Sequence, residues 1–110
     1  MKISTKKNYI LISTEETSFS AFFKNFNKKF NEIKNKHIII RISVKNNFTE
    51  KNILLFLEHA NTQHQNAKSF VVVDNTIEVD NFPENFNIVP TLTEAEDVIE
   101  MEDIQRNLGF

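Results

Sequence analysis

The sequence predicts an α/β fold: a small mixed β-sheet with about three to four helices, forming a single domain over residues 1–110. Two apolar runs without alternation, HIIIRIS at 37–43 and SFVVVD at 69–74, are typical of strands buried on both faces. Other apolar residues recur at helical spacing, which indicates helices between these strands. With 110 residues, 40% of them apolar, the chain supports one core but hardly two.

The segment before the first buried run contains two strands and a helix. KIST and YILIST have the β-branched, partly alternating character of strands, and KKN between them indicates a hairpin turn. Ser18 is placed to cap a helix that has lysines on its outer side. The apolar stripe of this helix consists of Phe19, Phe22, Phe23, Phe26, Phe30 and Ile33. Such a stripe predicts a helix face packed in the core.

The second half of the chain alternates in the same way. Thr91 with Glu94, or Thr93 with Glu96, forms a capping box for a last helix, and residues 86–89 indicate a short strand before it. One helical face between the buried runs carries Ile53, Phe56, Leu57, Ala60 and His64, and the last helix packs through Ala95, Val98, Ile99 and Leu108. The predicted order is β-β-α-β-α-β-β-α, with a right-handed parallel crossover joining the two buried strands.

Composition excludes several classes of protein. The chain has no cysteine, so it has no disulfide framework, thiolate nucleophile or cysteine zinc site. Its one glycine, Gly109, cannot build a glycine-rich phosphate loop. The N-terminal apolar run is too short for a signal-peptide core, and no run approaches the ~20 residues that a bilayer requires. We therefore expect a bacterial cytoplasmic protein without a membrane partner.

The candidate catalytic residues do not form a recognisable site. His59 and His64 are five residues apart and do not share a helical face, while His37 begins a strand. The many carboxylates of the last helix indicate a solvated face, since a general acid-base pair needs a concave, partly apolar setting. An acidic chain with arginine only at Arg41 and Arg106 is a poor nucleic-acid binder. We expect no enzyme, cofactor, metal site or nucleic-acid partner.

Charge is distributed unevenly along the sequence. Residues 1–51 hold eleven Lys/Arg against four Asp/Glu, and residues 52–110 hold two against eleven. The halves therefore carry about +7 and -9, from these counts. This polarity would steer a charged partner or favour self-association, unless the two signs simply mark separate faces of one domain.

The pattern resembles the STAS domain, the sulfate transporter and anti-sigma factor antagonist family, and it does so most specifically from His37 onward. That family has a buried strand, a serine-bearing turn, a helix, a second buried strand, and a short strand leading through Pro-x-(hydrophobic)-x-Glu-Ala into a helix. VPTLTEAEDVIE, residues 89–100, is similar to the last piece. The resemblance covers nearly the whole chain and implies the β-β-α-β-α-β-β-α order, docking on a protein partner, and no catalysis.

The resemblance also implies a regulatory turn, but its motif is changed here. In the family's anti-sigma factor antagonists the strand ends in Asp-Leu-Ser, and the turn carries Asp-Ser-x-Gly, whose serine is phosphorylated. An ungapped match places these motifs on residues 41–43 and 49–52, where only Ser43 is retained. Glu50 stands at the phosphoacceptor position, and a shift by one residue would place Thr49 there. The residues themselves also fit a plain helix start, with Thr49 as cap and Glu50 in the first turn.

Three functional hypotheses follow from these observations. The first, a consequence of the resemblance, is docking on an anti-sigma factor or related regulator through the turn and helix at 48–58, without the serine phosphoswitch. Its candidate docking residues are Phe48, Thr49, Glu50, Lys51, Asn52, Leu55 and Glu58, with Thr49 and Ser43 as candidate phosphorylation sites. The second is a small-anion or nucleotide-binding or enzyme-accessory domain that uses helix N-termini near Thr49 and Thr91. The third is self-association through the opposite charges of the two halves.

Overall fold

The computed structural model describes residues 1–43, 45–46 and 48–109, which form five strands, four α-helices and one short 3₁₀ helix. The strands are β1 (Lys2–Thr5), β2 (Tyr9–Ser13), β3 (His37–Arg41), β4 (Phe70–Val73) and β5 (Asn87–Val89). The helices are α1 (Phe19–Ile33), α2 (Glu50–Leu54), α3 (Leu57–Gln65) and α4 (Leu92–Asn107), and the 3₁₀ helix is Val79–Asn81. The predicted α/β class with a mixed sheet is confirmed.

The five strands form one sheet in the order β1-β2-β3-β4-β5. β1 pairs antiparallel with β2, and the N–H of Lys6 donates to the carbonyl of Tyr9 at 2.8 Å in the predicted hairpin turn. The other three pairings are parallel, so that β3 lies between β2 and β4. The two apolar runs are therefore interior strands, as their lack of alternation predicts.

The sheet separates two apolar clusters. Successive residues of a strand point to opposite faces, so Ile40 lies on one face and Ile39 on the other. On the first face, α1, α2 and α3 pack over Ile12, Ile40 and Val72. On the second face, α4 contributes Ala95 and Ile99 to a cluster with Leu11, Ile39 and Val71.

Helix α1 begins as the sequence predicts. The Ser18 hydroxyl accepts a hydrogen bond from the Ala21 N–H at 3.2 Å, which satisfies one of the free donors of the first turn. Phe22, Phe26 and Ile33 of the predicted stripe are buried, and Phe19, Phe23 and Phe30 are half-buried against the same cluster. The stripe is therefore wide enough to leave part of its aromatic surface at the protein surface.

The single helix predicted after β3 is in fact two helices with a tight junction. The N–H groups of Leu55 and Phe56 bond to carbonyls three residues back, at 3.1 and 3.0 Å, which is 3₁₀ geometry. In such a turn, side chains three apart eclipse, which brings Ile53 and Phe56 into line toward the core. Three residues in 3₁₀ geometry also rotate the following side chains about 60° further around the helix axis than three α-helical residues would. Both residues become fully buried.

That rotation corrects the prediction for His64. A continuous helix would turn His64 toward the core, but α3 leaves it exposed and buries Gln63 instead. The Gln63 Nε2 donates to the Lys36 carbonyl at 2.8 Å, while its Oε1 finds no partner in the part of the chain described. A polar side chain thus anchors α3 to the start of β3.

Helix α3 ends in a Schellman motif. The Lys68 N–H donates to the Gln63 carbonyl at 2.8 Å, and the Ala67 N–H donates to the His64 carbonyl at 3.0 Å. Ala67 has φ of 59°, the left-handed conformation this motif requires at that position. The turn directs the chain straight into β4.

Helix α4 differs from the prediction at its far end. Thr91, rather than Thr93, is the N-cap, and its hydroxyl accepts from the Glu94 N–H at 3.2 Å. Ala95, Val98 and Ile99 pack on the sheet as predicted, but Leu108 is 67% exposed. Leu108 lies nine residues after Ile99, about half a turn out of phase, so it points away from the sheet.

Candidate docking site

The turn at 48–50 forms a capped helix start. The Thr49 hydroxyl accepts from the Asn52 N–H at 3.1 Å, and the Asn52 side-chain oxygen accepts from the Thr49 N–H at 3.0 Å. This reciprocal pair is a capping box. Glu50 occupies the first turn, where the helix dipole favours an anion, and its carboxylate accepts from Asn81 Nδ2 at 2.8 Å. Thr49 and Glu50 therefore have structural roles, as the helix-start interpretation predicts.

The predicted docking residues separate into buried and exposed groups. Phe48 is buried and packs edge-on against Phe19, with ring centroids 5.2 Å apart, so its side chain is part of the core. This burial corrects its place among the surface candidates. Lys51 on α2, Leu55 at the junction and Glu58 on α3 are exposed. These three, with Thr49, Glu50 and Asn52, are the predicted docking residues that reach the surface.

An apolar groove lies between α1 and the end of α2. Its volume is about 740 Å³. It is lined by Phe19, Ser20, Phe23, Lys24, Asn27, Lys28, Asn52 and Leu55. Two half-buried phenylalanines and the 53% exposed Leu55 supply the apolar surface, and Lys24 and Lys28 supply positive charge. The predicted residues Asn52 and Leu55 are thus brought together with α1 residues that the prediction did not include.

Ser43, the second candidate phosphorylation site, lies in a different recess at the carboxyl ends of β2 and β3. The Ser43 N–H donates to the buried Thr14 hydroxyl at 2.9 Å, and its own hydroxyl accepts from the Lys45 N–H at 3.3 Å. Thr14 in turn donates to the Asn46 side-chain oxygen at 2.6 Å. The recess has a volume of about 470 Å³, and neither Thr49 nor Glu50 lines it. The two candidate sites are therefore separate.

A polar cluster that sequence reasoning missed joins the amino ends of β3 and β4 to α4. The buried Ser69 hydroxyl donates to Glu102 Oε1 at 2.6 Å and accepts from Arg106 Nη2 at 3.0 Å. Arg106 also bonds to Asp103 Oδ1 at 2.8 Å. Glu102 and Arg106 are four apart and in phase with Ile99, a spacing from which this inward-facing pair could have been recognised.

His37 belongs to the same cluster. Its Nδ1 accepts from the Ser69 N–H at 2.9 Å, which places the ring proton on Nε2, 3.2 Å from Asp103 Oδ1. Burial lowers the pKa of His37, although the Asp103 carboxylate opposes this shift. Serine, histidine and aspartate are thus adjacent, but the serine hydroxyl bonds to Glu102 instead of the imidazole. Because the imidazole lone pair is already occupied, the arrangement stabilises the strand ends and does not activate a nucleophile.

His59 lies in the aromatic cluster of the opposite face. Its ring is 4.8 Å from that of Phe30 and 5.0 Å from that of Phe26, measured between centroids. Nε2 lies 2.7 Å from the Asn27 side-chain oxygen, and buried Nδ1 has no partner among the described residues. Nε2 therefore carries the proton, and burial lowers the pKa of His59.

We expect the protein to lose stability as pH falls from 7.5 to 5.5. Because burial lowers the folded-state pKa of His37 and His59 below the ordinary value of 6.5, the unfolded chain binds more protons in this range. The free energy of unfolding, measured by urea titration at each pH, should therefore be lower at pH 5.5. The Glu16 carboxyl, whose pKa is about 2, does not contribute here, since its stabilisation is lost only below its ordinary 4.5.

Single substitutions identify which histidines cause this pH dependence. His37→Asn and His59→Asn should each reduce the difference in unfolding free energy between the two pH values. His64→Asn is the matched control, since His64 is exposed and lies on the same helix as His59. Equal pH dependence in all three variants would contradict the assignment.

Comparison with known proteins gives no relative from which to transfer a function: no protein-family model and no curated protein matches the sequence. In residues 1–43, 45–46 and 48–109, no three histidine, aspartate or glutamate side chains are grouped to hold a metal ion. Nor does any helix in these ranges combine the length and apolar character needed to cross a bilayer. The groove between α1 and α2 is thus the feature on which a functional proposal rests.

Proposed function

We propose that this chain is a non-catalytic regulatory module of the anti-sigma factor antagonist type, which docks on a protein partner through the groove and the 48–58 segment. The observation that carries the proposal is the exposure of Leu55 beside Phe19 and Phe23, in a groove with two lysines. Apolar surface bordered by charge is typical of an interaction site. The STAS resemblance adds the expectation that this end of the sheet meets a regulator.

The proposed module works without the family's serine phosphoswitch. Glu50 supplies a fixed negative charge where the resemblance expects a phosphorylatable serine, and Asn81 holds its carboxylate. The Thr49 hydroxyl is engaged by the Asn52 N–H in the capping box. The module is therefore held permanently in one state or regulated by something other than serine phosphorylation.

Affinity capture from lysate of the source organism tests the docking site. We expect a protein partner to be recovered with the wild-type chain and lost with Leu55→Asp, because an aspartate places a charge on the apolar wall of the groove. Val79→Asp is the matched control, since Val79 is also a half-exposed aliphatic residue but lies outside the groove. Mass spectrometry identifies the captured protein.

Two further variants test the turn. Glu50→Lys reverses its charge and should weaken capture, whereas Glu50→Ser restores the residue type that the resemblance expects. Phosphate on Glu50→Ser alone would support loss of the kinase route in this chain. Equal recovery of the same partner by the wild type, Leu55→Asp and Glu50→Lys would overturn docking through this surface.

A further inference from the structure

The outer face of α4 carries an apolar stripe that the sheet does not use. Met101, Ile104 and Leu108 are 61%, 52% and 67% exposed. Their spacing of three and four residues places them on one side of the helix, opposite the packed Ala95 and Ile99. A helix with apolar residues on both sides is suited to packing against something beyond its own sheet.

Acidic residues extend this stripe toward the start of the helix. Glu94, Asp97 and Glu100 are exposed and lie on the same outer side of α4. We call these three acids, together with Met101, Ile104 and Leu108, the outer face of α4. It combines apolar surface with negative charge. The groove between α1 and α2 combines apolar surface with Lys24 and Lys28. The two surfaces therefore match in apolar character and carry opposite charge.

The complementary surfaces cannot meet within one molecule. α1 and α2 pack on one face of the sheet, and α4 packs on the other. A contact between them therefore joins two copies. It is heterologous, since each copy would offer its groove to one neighbour and its outer face to another.

We infer that the outer face of α4 docks in the α1–α2 groove of a second copy of this chain. The inference rests on the proposed function, because it names an occupant for the same groove. Because the contact consists of one helix in one groove, we expect the association to be weak and concentration-dependent. Every assembly has a free groove at one end and a free outer face at the other, so further copies add head to tail.

Sedimentation velocity over a range of protein concentrations at low salt is the test. We expect the weight-average sedimentation coefficient of the wild type to rise with concentration and to fall again in high salt, which screens the charge pairing. Leu55→Asp places a charge on the apolar wall of the groove, and Met101→Asp places one in the apolar stripe of the outer face. Each should raise the apparent dissociation constant by about tenfold or more, which corresponds to about 1.4 kcal/mol. Val79→Asp should associate like the wild type.

Mixing the two defective variants gives the sharpest result. Leu55→Asp retains an intact outer face and Met101→Asp retains an intact groove, so a mixture should form 1:1 dimers that do not grow further. All three positions are exposed, and unchanged urea midpoints would confirm that the variants fold. Restored dimers in the mixture, with neither variant associating alone, would support the inference.

Several results would overturn it. A wild type that stays monomeric at every concentration excludes self-docking, while loss of a captured partner with Leu55→Asp would still support the proposed function. Association lost with Met101→Asp but kept with Leu55→Asp indicates a symmetric α4–α4 contact. Two defective variants that fail to complement each other also exclude a heterologous interface.

Discussion

Phe56→Ala is expected to lower the free energy of unfolding by about 3–5 kcal/mol. Phe56 is fully buried where α2 joins α3. Its ring lies 5.2 to 6.2 Å, between centroids, from the rings of Phe19, Phe22, Phe23, Phe26 and Phe70. Its removal leaves a cavity bounded by α1, α3 and β4. Such a loss is a large part of the ~5–15 kcal/mol that stabilises a typical domain.

Urea unfolding of Phe56→Ala beside Leu54→Ala measures this effect. Leu54 is only two residues away but is 41% exposed, so its truncation should change stability by about 0.5 kcal/mol or less. Phe56→Leu, which keeps most of the volume, should lie between the two. A loss below about 1 kcal/mol for Phe56→Ala would contradict the central place of this ring.

Gln63→Glu is expected to destabilise the protein by about 3 kcal/mol at pH 7, since it places an ionisable carboxyl in a fully buried position. An ionised carboxylate cannot donate to the Lys36 carbonyl, which would lose the bond that Nε2 makes at 2.8 Å. A protonated carboxyl can donate. Burial should therefore raise the pKa of the introduced group above its ordinary value of about 4.3.

The pH dependence distinguishes this mechanism from simple loss of packing. With a raised folded-state pKa, the folded variant binds a proton that the unfolded chain releases, so its penalty relative to the wild type should shrink as pH falls toward 4.3. Gln65→Glu is the matched control, because Gln65 is exposed on the same helix. Equal penalties for Gln63→Glu at pH 7 and pH 5 would contradict the role assigned to the Lys36 carbonyl.

Local pattern was sufficient for most of the fold. The interior strands β3 and β4 could be predicted because burial on both faces gives continuous apolar runs. Helix α1 could be predicted because its apolar stripe follows a serine cap. The division between α2 and α3 was not predictable, since no proline or glycine occurs near residues 54–57. It arises from the tight junction that buries Ile53 and Phe56 together. That junction depends on the aromatic rings of α1, which are distant in sequence.

The candidate site was predicted only in part. Asn52 and Leu55 do line a surface groove, but its other wall is α1, whose apolar stripe the sequence analysis assigned to the core. Phe48 was included among the docking residues as part of the turn and helix at 48–58, yet its ring is buried beside Phe19. The cluster of His37, Ser69 and Arg106 was missed because its members come from three separate elements.

The neighbour order of the strands has a consequence for synthesis on the ribosome. Each strand pairs with the strand immediately before it in the chain, so every new strand meets a partner that has already emerged. The face covered by α1, α2 and α3 can close as the chain lengthens, because these helices precede β4. The opposite face of the sheet stays uncovered until α4 emerges. Until that helix emerges, the nascent protein presents Leu11, Ile39 and Val71 uncovered, which makes this the interval of greatest exposure to chaperones and aggregation.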